Sequence, residues 1–491
     1  MDHLPPRQSL RRPLGWCHPP PCTRPGALPC RRGRSRAGSA APRAQPRSRR
    51  RRPHQPPHPR TGRISPPYPH DPLPLRSAPP QRGRDPTGRR AYTHRMTTRT
   101  AVRRTTLGAG GLTLLLATTH AANDAFANIL PAFLPTIQQR FGLGEAVLAG
   151  FVALISFSSN VLQAFAGVLA DRWGRRRAAA LGLILGSVLM SLLPVVPTPW
   201  ALFVLLAIGG LGSAVYHPAA ASMARATGTR KSLAVGLFTS GGPLGSALMP
   251  VLALWMLRSY GAWSIPWLAL IGVALGVALL AFGPEQARPE RAQRPRIFDA
   301  ALFRGPVGAL AFAGILRAVA YISFLNAMPL YLVNVRGYAA DAEIVGFTLA
   351  AFQIAASLGV ILVGYLDGRI GRLALITGSM LLGIPTLLAT LAVEPGTLAF
   401  YLLAAAAGAF TNAPIPLLVV SAQNLAPHAV ATASGMLMGF TWGVAGVAYI
   451  AFGALQQTIG LQPAMALGFV FLLPAALLAH RTLTRHRDAL A

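Results

Sequence analysis

Acidic residues are scarce in this chain. Its 491 residues include 14 Asp plus Glu against 46 Lys plus Arg. Lysine is nearly missing too, with Lys231 alone beside the arginines. Cysteine occurs three times, at Cys17, Cys22 and Cys30, so the rest of the chain can form no disulfide and no Cys-based metal site. Charged residues make up 12% of the chain, where a soluble globule carries about 25%. That shortage excludes an ordinary soluble domain. A hydrophobic content of 52% and a mean hydropathy of +0.43 exclude a simple basic nucleic-acid binder. The formal net charge of +32 is therefore a sum over unlike parts.

Residues 1–95 are one part. They hold 22 Arg, 22 Pro and 3 acids, with no helical or strand periodicity. Runs such as Arg49-Arg50-Arg51-Arg52-Pro53 repel themselves, and proline at this density blocks helix and sheet. The segment is expected to be disordered. A basic nucleic-acid-binding arm and a transit peptide are alternatives, the latter spoiled by its prolines. The favoured reading is an over-extended start. Met96 opens a short basic lead directly before an apolar stretch, as an authentic start would.

What is abundant afterwards is long apolar runs. Crossing a bilayer takes about 20 apolar residues in a helix. Such runs lie near 107–134, 146–169, 178–197, 199–222, 233–257, 263–283, 306–333, 343–366, 373–393, 397–421, 430–454 and 463–483. They are continuous rather than alternating, so they read as helices and not barrel strands. The predicted fold class is an all-α membrane protein of twelve transmembrane helices. With the N-terminus inside, the inner side collects twenty Lys and Arg, against Arg140, Arg258 and Arg336 outside. This bias predicts both termini on the cytoplasmic face of the plasma (inner) membrane. The longest connection, 284–305, is charged and holds Pro284, Pro289 and Pro295. It divides the chain into a six-helix half at 96–283, a cytoplasmic linker, and a second half at 306–491. The two halves match in plan, as in transporters built from repeats.

The turn after the second span reads Gly167-Val-Leu-Ala-Asp171-Arg172-Trp-Gly174-Arg175-Arg176-Arg177. It resembles the signature of the major facilitator superfamily, at the position where that family carries it. The resemblance implies the major facilitator fold, two pseudo-symmetric halves, and a gating role for Gly167, Asp171, Arg172, Gly174, Arg175 and Arg176. The second half answers with Gly364-Tyr-Leu-Asp367-Gly368-Arg369-Ile-Gly371-Arg372, its Asp displaced by one residue. In the fifth span, Gly241, Gly242, Pro243 and Gly245 resemble the Gly-Pro signature of the family's antiporters. His120-Ala-Ala-Asn123-Asp124, Val215-Tyr216-His217-Pro218 and Ala422-Gln423-Asn424 resemble the fosmidomycin-resistance branch. That branch tends to carry an acid where Asn424 stands.

Ionisable groups inside a bilayer cost about 2.5–3.5 kcal/mol on insertion scales, so each needs a partner or a function. Asp124 lies inside the first span, with His120 one turn earlier on the same face. The pair is a candidate proton carrier, Asp124 carrying and His120 tuning. His217 precedes Pro218 towards the inner end of the fourth span and is a candidate relay or a partner for carbonyls freed by the proline. Arg317 lies near mid-span in the seventh helix, as an anion-binding fork or as a partner for Asp124. Asn123, Gln353, Gln423, Asn160 and Gln163 are further candidates to line a substrate cavity. Asn412 precedes Pro414 and Pro416, which predicts a broken tenth helix.

No Gly-x-x-x-x-Gly-Lys loop is present, and no His, Cys or acid cluster is visible along the sequence. Neither cofactor nor metal is expected, and the chain is not expected to be an enzyme. Energy must come from an ion gradient, which for the resembled family usually means protons. The expected function is proton-coupled efflux of a small, anionic compound or antibiotic by alternating access. The expected partners are the substrate, protons and lipid, with no nucleic acid and a monomeric chain. Uptake of a sugar or organic acid is the alternative. A membrane sensor, or a nucleic-acid binder acting through the basic tail, is the reading from a different class.

Overall fold

The computed structural model describes residues 107–227, 231–284 and 300–487. The disordered segment expected at 1–95, and residues 285–299 of the expected linker, lie outside the described residues. Among the described residues the secondary structure is helical throughout.

Twelve helical rods follow one another through short turns. We label them α1 (109–141, as Ala109–Ala127 and Leu130–Phe141), α2 (145–173, as Glu145–Ser156, a π turn Phe157–Val161, and Gln163–Trp173), α3 (Arg175–Val195), α4 (Pro199–Ala226), α5 (Lys231–Tyr260) and α6 (Ala262–Phe282). The second half comprises α7 (Pro306–Val335), α8 (Glu343–Ile370), α9 (Arg372–Ala392), α10 (Leu398–Leu425), α11 (Thr432–Ile459) and α12 (Leu461–Arg485). Ten rods are long and apolar enough to cross a membrane by length and composition. The other two, α1 and α2, are interrupted, and α1 carries His120, Asn123, Asp124 and Asn128 along one stretch. Several helices outrun their apolar stretches: α4 continues to Ala226 and α8 to Ile370. Backbone hydrogen bonding does not stop where hydrophobicity does.

The packing repeats between halves. In the first half α1 packs on α5, α3 on α4, α2 on α4 and α3 on α6. In the second, α7 packs on α11, α9 on α10, α8 on α10 and α9 on α12. Adding six to each number of the first set gives the second. The halves meet through α2 against α11 and α5 against α8, pairs that the same rule exchanges. Matching turns support the repeat. Gly174 between α2 and α3, and Gly371 between α8 and α9, share a left-handed φ of 92°, which only glycine adopts without strain.

Contact across the halves is closest at the end away from these two turns. There Asn334 Nδ2 donates to Gln138 Oε1 at 2.7 Å, and an added Cβ on Gly453 would come within 2.8 Å of Glu145 O. Arg336 pairs with Glu394 at the same end, which raises the guanidinium further above its usual range. Glycines with nothing within 4 Å of an added Cβ occur at both ends of the rods, Gly364 and Gly368 at one and Gly142 and Gly150 at the other. Many large apolar side chains point outward, with Trp200, Trp263 and Trp267 clustered by sequence at the opposite turns. In water this surface would aggregate, whereas in lipid it is solvated, and tryptophans at one level suit the membrane interface.

Candidate functional site

The first half builds a polar cluster inside its apolar packing. His120 and Asp124 lie one turn apart in the middle of α1, with His120 Nε2 at 3.4 Å from Asp124 Oδ2. His217 comes from α4 and places its Nε2 at 3.1 Å from Asp124 Oδ1. The three side chains are from half-buried to buried (29%, 18% and 9% exposed for His217, Asp124 and His120). Both rings are oriented by backbone. His120 Nδ1 faces Phe238 O at 2.7 Å, and His217 Nδ1 faces Ser213 O at 3.0 Å. A carbonyl only accepts, so each Nδ1 carries the proton and donates. His120 also stacks on Phe238 of α5, with ring centroids 4.2 Å apart.

Neighbouring groups complete the cluster. Asn123 Nδ2 donates to Asp124 Oδ1 at 3.0 Å and to Ser213 Oγ at 3.1 Å. Tyr216, fully buried beside the rings, hydrogen-bonds Thr119 Oγ1 at 2.8 Å. On the other side of Asp124 a polar route leads to the seam between halves. Asn128 Nδ2 and Ser246 Oγ both donate to Asp124 O, at 3.0 and 3.2 Å. Gln353 Nε2 of α8 then donates to Ser246 O at 2.7 Å, across the halves.

The Gly-Pro stretch of α5 makes this approach possible. A Cβ at Gly245 would stand 1.8 Å from Ala121 O, and one at Gly241 2.3 Å from Ala117 O. A Cβ at Gly242 would stand 2.2 Å from Asp124 Oδ2. Only glycine lets α5 touch the α1 backbone here, as small residues do where membrane helices pack closely. Pro243 sits within the same helix.

Arg317 is placed differently from one of its two expectations. It is buried (1% exposed) in α7, but its charge turns to α10 and not to Asp124. Its Nη1 donates to Thr411 O at 3.0 Å and lies 3.5 Å from Asn412 Oδ1, where α10 breaks before Pro414. The break frees backbone carbonyls, and a fixed cation beside them is the physical reason for this direction. Its guanidinium lies over the Trp442 ring at 4.8 Å, and its Nε has no hydrogen-bond partner among the described residues. Trp442 and Tyr321 wall a cavity of about 100 Å³ between the halves, shared with Asn128, Ser156, Asn160 and Asn326.

The other candidates are scattered. Asn160 lines that cavity and donates to Ser156 O at 3.2 Å. Gln163 is half-buried beside Gly439 of α11. Gln423 donates to Ser434 Oγ at 2.8 Å, away from the cluster. Gly167 packs near Pro218, and Gly174 forms the turn. Arg172 is exposed, Arg175 and Arg176 are half-buried, and Arg176 Nη1 lies 3.4 Å from Gly283 O. The role expected of the Asp171 side chain lies outside the described residues. In the second half, Asp367 pairs with Arg372 at 3.1 Å, so the displaced acid staples α8 to the start of α9.

Sequence reading missed Asn128, Ser213, Ser246 and Trp442. Asn128 was findable, since positions 120, 124 and 128 recur at helical spacing. Ser213 and Ser246 carry no local signal; only the tertiary packing of α4 and α5 brings them in.

Such a fold, with polar groups held at mid-helix between two repeated halves, defines a polytopic membrane transporter. Residues 113–449 match the Major Facilitator Superfamily, and the chain belongs to that family. It is 27% identical over 389 residues to the MFS-type transporter YfnC of Bacillus subtilis strain 168, covering 74% of this chain and 92% of that one. It is 25% identical over 360 residues to the fosmidomycin resistance protein of Escherichia coli strain K12, covering 72% and 88%. Among solved structures it resembles the nucleoside transporter NupG, with a TM-score of 0.60 at 15% identity over 77% of this chain and 99% of that one.

Proposed function

We propose that this transporter exports a small anionic compound of the antibiotic type in exchange for protons, by alternating access. The observation that carries the reading is the His120–Asp124–His217 cluster, an ionisable triad at mid-helix that nothing in the fold requires. Asp124 is the proton carrier, His120 and His217 share its protons, and Asn123 holds the carboxylate in place. Ser246 Oγ on the Asp124 backbone carbonyl, and Gln353 Nε2 on the Ser246 carbonyl, tie the α1 stretch that carries the cluster to the α5–α8 seam, which has to open and close in each cycle.

Export rather than uptake is supported by the antiporter-type glycines and by similarity to a resistance protein. An anionic cargo is supported by Arg317, whose charge no described acid balances and which stands behind the Trp442 and Tyr321 wall of the cavity. Asn160, Gln163, Gln353 and Gln423 supply neutral hydrogen-bonding groups along the transport path. The Arg-rich turn with Gly167, Asp171, Arg172, Gly174, Arg175 and Arg176 acts as the gate on the cytoplasmic side. The protein works as a monomer in the plasma membrane with both termini inside.

The reading is tested in proteoliposomes with an imposed pH gradient and a panel of small anions and antibiotics. Accumulation that follows the pH gradient and vanishes with a protonophore is expected, and accumulation indifferent to both contradicts it. In the same assay Arg317→Lys keeps the charge but loses the planar fork. Its KM for an anionic substrate is expected to rise about tenfold, the equivalent of ~1.4 kcal/mol for one charged hydrogen bond.

A further inference from the structure

We infer that His120, Asp124 and His217 form a binding site for a first-row divalent metal ion, zinc being the best match. The inference goes beyond proton coupling and stands whichever ion drives transport.

Each Nδ1 donates to a backbone carbonyl, Phe238 O for His120 and Ser213 O for His217. In the neutral rings each Nε2 lone pair therefore points at the Asp124 carboxylate, itself only an acceptor. Asn123 Nδ2 donates to Asp124 Oδ1, but neither Nε2 lone pair has a donor facing it in the neutral rings, and a cation between the rings and the carboxylate removes the resulting repulsion. Their spacing fits a metal. A tetrahedral ion with bonds of about 2.0–2.2 Å holds its ligand atoms about 3.3 Å apart. His120 Nε2 lies 3.4 Å from Asp124 Oδ2 and His217 Nε2 lies 3.1 Å from Oδ1, so the carboxylate faces both rings, one oxygen to each, and one ligand atom from each residue lies within 4.8 Å of the others.

The surroundings are those of a built site. Metal-bound imidazoles normally donate their other N–H to a carbonyl or carboxylate, and ligating carboxylates are themselves hydrogen-bonded. Here both imidazoles donate to carbonyls, and Asn123 Nδ2 donates to Asp124. The α5 backbone closes over the ligand atoms. A Cβ on Gly242 would stand 2.2 Å from Asp124 Oδ2 and 2.9 Å from His120 Nε2, so glycine is what leaves these two ligand atoms uncrowded. The partial exposure of His217 and Asp124 admits an ion from solvent. Two imidazoles and one carboxylate suit zinc and its neighbours, whereas calcium and magnesium prefer oxygen ligands. The fourth position is left for water or for a donor atom of the cargo.

The test is a Co²⁺ titration of the purified full-length chain in nanodiscs, free of any histidine tag, with Co²⁺ as a coloured substitute for zinc. One saturable equivalent with the visible absorption of low-coordinate Co²⁺ is expected, displaced by Zn²⁺. It should disappear in His217→Gln, and in Gly242→Ala, whose added methyl crowds Asp124 Oδ2 and His120 Nε2 without removing any ligand. Helical circular dichroism and the melting temperature check that the variants fold. If His217→Gln does not fold, Asp124→Asn replaces it. Cys17, Cys22, Cys30 and the histidines outside the cluster are unchanged in all variants, so only the difference from wild type is read. A wild-type protein without this spectrum, or a folded ligand variant with the full spectrum, overturns the inference.

Discussion

Replacing Asp124 by Asn is expected to abolish accumulation driven by a pH gradient while leaving the folded protein in the membrane. Asn keeps the shape, and its Oδ1 can still accept from Asn123 Nδ2, now 3.0 Å from the carboxylate. Its amide N–H can donate to one of the two Nε2 atoms that face position 124. The packing of α1 on α5 is untouched, because it runs through Ala117, Ala121 and the glycines of α5. What disappears is the carboxylate that gains and loses a proton. Substrate exchange between two equal pools needs no net proton movement, so counterflow should persist in Asp124→Asn while gradient-driven accumulation falls to the level of protein-free liposomes. A variant that accumulates like wild type would remove Asp124 from the coupling mechanism.

The second large effect concerns stability. Gly245→Ala would place a methyl carbon 1.8 Å from Ala121 O, 2.5 Å from its carbonyl carbon and 2.8 Å from its Cα. All three are backbone atoms that cannot rotate away, so α1 and α5 must separate. Overpacking of this kind costs about 1–3 kcal/mol. The separation also pulls His120 from Phe238 O, because both helices of that contact move. Gly236→Ala is the internal control: the same helix, the same chemical change, and nothing within 4 Å of the added carbon. There the gain in helix propensity should leave stability unchanged or slightly higher. Melting in detergent, followed by retention of the monodisperse peak, should show a clear drop for Gly245→Ala and none for Gly236→Ala. Equal melting of the two would mean that the α1–α5 approach does not hold the cluster together.

Hydropathy alone made the architecture legible, because each apolar run is long enough to become one rod and the turns between them are short. The break in α10 followed from Pro414 and Pro416, which lack the N–H groups that a continuous helix needs. Half of the cluster was legible for the same local reason, since His120 and Asp124 are neighbours on one helical face. His217 was legible as a polar residue before a proline, but its partner was not. It meets Asp124 only through the packing of α4 against α1, which the sequence of neither helix encodes by itself. Arg317 shows the converse. Its place in the middle of an apolar span is plain from the sequence, whereas its direction depends on carbonyls exposed by the break in a different helix. The π turns Phe157–Val161, Tyr331–Val335 and Met436–Phe440 have no sequence signal that we recognise.

The central claim is that cargo and protons move in opposite directions through one protein, with Asp124 as the proton carrier. It is tested most directly by trapping a pH-sensitive dye inside proteoliposomes and adding a transported substrate with no pH gradient imposed. The account predicts a substrate-evoked pH change in the wild type, of the sign expected for proton movement opposite to substrate, and none in Asp124→Asn. A substrate flux without any pH change in the wild type, or an undiminished pH change in Asp124→Asn, would contradict it.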